Sequence, residues 1–98
     1  MKKAERQHLD RVAGLGCVVC RNNELGESPA SIHHCIGHHF KGLSQRASNY
    51  ETIPLCHAHH QGEFGIHAIG MRVWEDQYGS QVDLLDQVLS EVGYESSH

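Results

Sequence analysis

Eight of the ten histidines in this 98-residue chain fall between His33 and His67, interleaved with cysteines. That internal cluster constrains the fold more than any other feature. A domain of this length buries little apolar surface and commonly needs a staple, of which a structural metal is one. Histidine is the commonest metal ligand, and thiolates at knuckle spacing accompany it in structural zinc sites. A purification tag would place a run of histidines at one end, whereas only His98 is terminal. The expectation is one domain over residues 1–98, built around metal.

The cysteines are expected to be reduced. Met1-Lys2-Lys3-Ala4-Glu5-Arg6 lacks the apolar stretch of a secretory signal. No run of about 18 apolar residues is present to span a membrane. The expected setting is the cytoplasm, where four cysteines read as metal ligands or bystanders and not as disulfides.

Cys17-x2-Cys20 fits one zinc across a tight turn. Its other two ligands must come from elsewhere, and three pairs compete. Cys56-x2-His59 and Cys35-x2-His38 both have knuckle spacing. His33-x4-His38 completes C-x2-C-x12-H-x4-H, the spacing of a DNA-reading finger. The finger is disfavoured because residues 21–32 offer only Leu25, Ala30 and Ile32 as a core, and Gly37 interrupts the helix it needs. Cys56-x2-His59 is favoured, since it follows a strand and is itself followed at once by His60.

A structural zinc closes at four ligands, and several histidines remain. His33 and His34 are adjacent on an expected strand, so they face opposite sides, and one can bind metal while the other addresses a water. His60 and His67 reach a common metal only if residues 61–66 depart from regular helix, which Gln61-Gly62-Glu63-Phe64-Gly65 allows. His33, His60 and His67 would give three protein ligands with positions left open, the catalytic pattern.

Periodicity and turn chemistry suggest an N-terminal helix over 2–15 with Ala4, Leu9, Val12 and Leu15 inward, and a loop over 21–29. Short strands are expected at Ala30–Ile36 and Glu51–Leu55, with Pro54 marking an edge. A helix opens at Cys56, and spacing over His67–Tyr78 puts Ile69, Val73 and Trp74 inward. Ser80 with Asp83 forms a capping box for a last helix, about 80–92, with Val82, Leu85, Val88, Leu89 and Val92 on one side. The expected class is α+β, with a core over about 15–78.

The formal net charge of −4 is unevenly distributed. Residues 1–49 carry seven basic and four acidic side chains, and residues 50–98 carry one and eight. The basic half, helped by bound metal, suits a phosphate backbone. Lys41 and Arg46, with His38 and His39, lie in the loop between the strands and are the candidates for phosphate contacts.

The order Cys17-x2-Cys20, Ile32-His33-His34, Ile53-Pro54-Leu55-Cys56-x2-His59-His60 and then His67 resembles an HNH (ββα-metal) endonuclease on a zinc-knuckle frame. Arg46-Ala47-Ser48 before Tyr50, and Trp74 to Gly79 after, extend the likeness to the phage recombination-enhancement (RecA-dependent) nucleases, over about Lys2 to Val88. The resemblance implies a small zinc-stabilised ββα-metal fold with flanking N- and C-terminal helices. It implies metal-dependent hydrolysis of DNA, with His34 as general base and His33, His60 and His67 on the catalytic metal. Cys17, Cys20, Cys56 and His59 would hold structural zinc. The catalytic metal would be magnesium, manganese, zinc or nickel. DNA and a RecA-type filament are the implied partners, in a phage or prophage setting. The sequence departs from the family at Glu51, where the family has an Asn that orients the base, and these 98 residues do not include the long basic N-terminal extension of the better-known phage member. The rival reading is a non-catalytic zinc-ribbon module that binds DNA or a recombination protein.

Overall fold

β1 (Ser31–His34) and β2 (Thr52–Leu55) pair antiparallel, with His33 opposite Ile53 and His34 opposite Thr52. The computed structural model describes residues 2–37, 40 and 47–93. Around this two-stranded sheet lie α1 (Lys3–Gly14), α2 (Val18–Asn22), α3 (His57–His60), α4 (Ile66–Ile69), α5 (Met71–Tyr78) and α6 (Gln81–Val92). The class is α+β.

α1 packs on both strands and α6 packs on β2 and α1. β2 is buried along its whole length, which a lone two-stranded ribbon requires of its cover. Val12, Val18, Val19, Ile53, Leu55, Ile66, Trp74, Leu84, Leu85 and Val88 form the core. At the surface Arg21 grips Glu91 with two hydrogen bonds, of 2.8 and 3.1 Å, and ties α2 to α6. Such an exposed pair contributes about 1 kcal/mol or less.

Several elements differ from the sequence reading. The expected loop over 21–29 begins later, because α2 continues through Asn22 from a first turn closed by Arg21 N–H on the Cys17 carbonyl (3.1 Å). The expected helix over His67–Tyr78 is two helices, broken at Gly70, whose φ of +92° suits only glycine. The break resets the helical phase, so Val73 is 49% exposed while Trp74 is fully buried. In α1 Ala4 is exposed and His8 takes an inward position. In α6 Gln81 and Leu84 are buried beside Leu85 and Val88, and Val82 is only partly covered. Ser80 does cap α6, accepting from Asp83 N–H at 3.1 Å. Among the described residues no helix is long and apolar enough to cross a membrane.

Candidate metal centres

Cys17 precedes α2 and Cys20 lies on its first turn, while Cys56 precedes α3 and His59 lies within it. The two knuckles converge. Cys20 Sγ lies 3.8 Å from Cys56 Sγ, and His59 Nδ1 lies 3.8, 3.6 and 3.2 Å from the sulfurs of Cys17, Cys20 and Cys56. A zinc tetrahedron with bonds of about 2.3 Å to sulfur and 2.0–2.1 Å to nitrogen has edges of about 3.8 Å between sulfurs and 3.6 Å between sulfur and nitrogen. The spacings match those edges and are far too long for disulfides. All four cysteines of the chain are free thiols.

The surroundings support the same reading. Without a cation, burial pushes the Cys17 thiol up to about 11. Burial opposes the Cys56 thiolate too, but the His59 N–H and the Cys17 and Cys20 thiols outweigh it and lower that group. Trp74 Nε1 donates to the His59 carbonyl (3.0 Å), and the Tyr78 ring stands edge-on to His59. Cys17, Cys20, Cys56 and His59 are therefore close enough to bind one metal ion such as zinc. Cys35 belongs to neither this group nor the second one. It is buried in the core, where burial first, then the charges of Glu51 and Glu75, push its thiol up to about 12.

The second group is His33, His60 and His67, with one ring nitrogen of each within 4.8 Å of the others. The ring centroids are 5.0–5.3 Å apart. β1 supplies His33, α3 supplies His60, and the turn over 61–65 brings α4 back with His67. Gly65 makes the return possible, since a Cβ there would collide with the His60 carbonyl.

Hydrogen bonding decides which nitrogens face a metal. Gln81 Oε1 accepts from Ile36 N–H (2.9 Å), and its amide nitrogen donates to the Ile36 carbonyl (2.9 Å). The amide orientation is thus fixed, and Oε1 also lies 3.0 Å from His33 Nε2. His33 must donate there, which leaves the lone pair on Nδ1. The Ser31 hydroxyl donates to the Leu55 carbonyl (3.4 Å) and lies 3.2 Å from His60 Nδ1. That contact occupies His60 Nδ1 and leaves Nε2 as the nitrogen free for a metal. Metal-binding histidines usually hold their other nitrogen in this way. Burial, joined by repulsion from His60, His67 and His34 and opposed by the Gln81 bond, lowers His33 to about 4. Burial lowers His60 as well. A group of two buried histidines and one exposed member, His67, fits a metal with open positions. Nitrogen ligands suit manganese, zinc or nickel better than magnesium.

His34 faces the other way. Its Nε2 lies 2.9 Å from Asn49 Oδ1, and Asn49 Nδ2 donates to Glu5 Oε1 at 3.1 Å. The hydrogen bonds of Glu51 go elsewhere. The Glu51 carboxylate accepts from Ser48 N–H (3.0 Å) and its carbonyl from Cys35 N–H (2.9 Å), so it closes the turn ahead of β2. Asn49, Glu5, Gln81 and Ser31 are the residues around the sites that spacing did not single out. Lys41, Arg46, His38 and His39 lie outside the described residues.

A family model described as "Protein of unknown function (DUF968)" matches residues 1–94. The chain is also similar to the uncharacterized protein YdfU of Escherichia coli (strain K12), at 38% identity over 53 residues. That stretch covers 54% of this chain and 14% of YdfU.

Proposed function

This chain belongs to the DUF968 family, and we propose that it is a metal-dependent endonuclease hydrolysing DNA phosphodiester bonds at a ββα-metal (HNH-type) centre. The observation that carries the reading is a closed Cys3His group beside a separate, open three-histidine group. A purely structural zinc module needs only the first. The order β1, β2, α3 supports a ββα unit, and His34 follows a member of the three-histidine group on the same strand.

In this reading Cys17, Cys20, Cys56 and His59 hold structural zinc, and His33, His60 and His67 hold the second metal. When bound, that metal supplies charge neutralisation at the phosphate and at the departing 3′ oxygen. His34 takes a proton from a water as the water oxygen bonds to phosphorus. The bond from phosphorus to the 3′ oxygen breaks, solvent protonates that oxygen, and the products are a 5′ phosphate and a 3′ hydroxyl. Exposed Lys2, Lys3, Arg6 and Arg11 on and beside α1 support DNA as the partner. A RecA-type filament as further partner, and a phage or prophage protein in the bacterial cytoplasm as the setting, follow from the resemblance in motif order.

The test is metal analysis joined to plasmid cleavage. The parent should bind two metals per chain and cut DNA. His34→Ala should keep both metals and lose about 10²–10⁴-fold in rate. One metal and no cleavage would replace this reading with a non-catalytic zinc module that binds DNA.

A further inference from the structure

We infer that Asn49 and Glu5 are the positioning residues of His34, holding its imidazole as the Nε2–H tautomer with the lone pair on Nδ1. The assignment follows from donor and acceptor chemistry. A carboxylate only accepts, so Glu5 Oε1, 3.1 Å from Asn49 Nδ2, selects the NH2 end of that amide. The amide oxygen is left facing His34 Nε2 at 2.9 Å, and an amide oxygen also only accepts. His34 Nε2 must therefore donate, and Nδ1 alone can take a proton.

The chain of contacts is built in at both ends. Glu5 Oε2 accepts from Lys2 N–H (3.3 Å), so one carboxylate both caps α1 and orients Asn49. Asn49 sits in a turn closed by Glu51 N–H on the Ser48 carbonyl (3.0 Å), and Thr52 Oγ1 donates to the Asn49 carbonyl (3.0 Å). Three elements distant in sequence thus fix one ring. The catalytic consequence rests on the nuclease reading, but the geometry does not. Were the amide reversed, Nδ1 would carry the proton and His34 would face a phosphate without a base. Side chains that hold a catalytic imidazole in its working tautomer can be worth orders of magnitude in rate.

The experiment uses the full zinc-loaded chain with 15N-labelled histidine rings, at about pH 8, where free imidazole is neutral. Long-range proton–nitrogen spectra report the tautomer, and His34→Ala assigns the signals. The parent should show His34 protonated at Nε2. Asn49→Leu should mix the tautomers and, on a plasmid substrate, lower kcat by about tenfold or more with KM little changed. Asn49→Asp keeps an acceptor for His34 Nε2–H but sets two carboxylates against each other, so residue 49 should be pushed off Glu5 and the rate should fall. Adding Glu5→Gln to it restores a donor, an acceptor and the order of contacts, so the double variant should recover the rate. This pair carries the test if Asn49→Leu fails to retain zinc. A His34 protonated at Nδ1 in the parent, or a double variant no better than Asn49→Asp, overturns the inference. If the parent cuts no DNA while the tautomer still follows residue 49, the positioning stands and the nuclease reading is what fails.

Discussion

Gln81 Oε1 lies 3.0 Å from His33 Nε2 and joins the last helix to the histidine group. Gln81 is 1% exposed, and Glu75 holds it from a second side by accepting from its backbone N–H at 2.7 Å. The contact sets the ring of one metal-binding candidate from a residue 48 positions away.

Gln81→Leu should therefore weaken the second metal more than the fold. It removes the acceptor for His33 and leaves the Ile36 N–H and carbonyl without their partner. Losing an outer-shell partner of this kind typically costs about 10–100-fold in metal affinity. Competition against a chromophoric chelator should show that loss for one of two zinc equivalents. Equal weakening of both sites would make Gln81 a general structural residue.

Loss of the first metal should unfold the chain. Cys17→Ala removes one of four ligands from a small domain, and binding free energy at such a site is folding free energy. Circular dichroism should show collapse of helix signal, and a strong chelator should do the same to the parent. Cys35→Ala should cost only about 1–2 kcal/mol, since it trims a buried thiol that ligates nothing in either group. A folded, zinc-replete Cys17→Ala would refute the ligand set.

Acid should destabilise the protein reconstituted with a single zinc equivalent. The folded-state pKa of His33 is about 4, against 6.5 for a free histidine, chiefly through burial. Between those values the unfolded chain binds a proton that the folded chain does not, so stability rises with pH. The contribution is whole above about pH 6.5 and is lost as pH falls toward 4, to a total of roughly 3 kcal/mol. Burial lowers His60 in the same direction. Urea midpoints across that window should fall in the parent and fall less in His33→Gln.

The two candidate ligand groups are legible in the sequence because coordination imposes local spacing. Two thiolates three residues apart, or a cysteine and a histidine likewise, leave a visible mark at Cys17–Cys20 and Cys56–His59. His60 and His67 needed a break between them, and glycines announced it. The residues that orient the rings leave no such mark. Asn49 and Gln81 reach His34 and His33 from distant elements, and a single hydrogen bond imposes no pattern on the chain between. Treating 67–78 as one helix misplaced Val73 for a related reason. Periodicity locates a face only while the helix is continuous, and Gly70 ends one phase and starts another.

DNA binding should depend on α1. Its outer surface presents Lys2, Lys3, Arg6 and Arg11 against one exposed acid, Asp10. None of the four takes part in an ion pair among the described residues, where Arg21–Glu91 is the pair observed. Glu5, on the same helix, is joined to His34 through Asn49, so a phosphate near His34 would lie beside this ridge. Each phosphate contact releases counterions, and log K falls with log salt by about 0.9 per contact on duplex DNA. The double variant Lys3→Ser, Arg6→Ser should reduce that slope by about two and weaken binding alike on all sequences. Fluorescence anisotropy on a labelled duplex, with the second metal withheld to prevent cleavage, measures it. Asp83→Asn on α6, at the acidic end of the chain, should leave the slope unchanged. A slope untouched by the α1 variants would move the phosphate surface away from this helix.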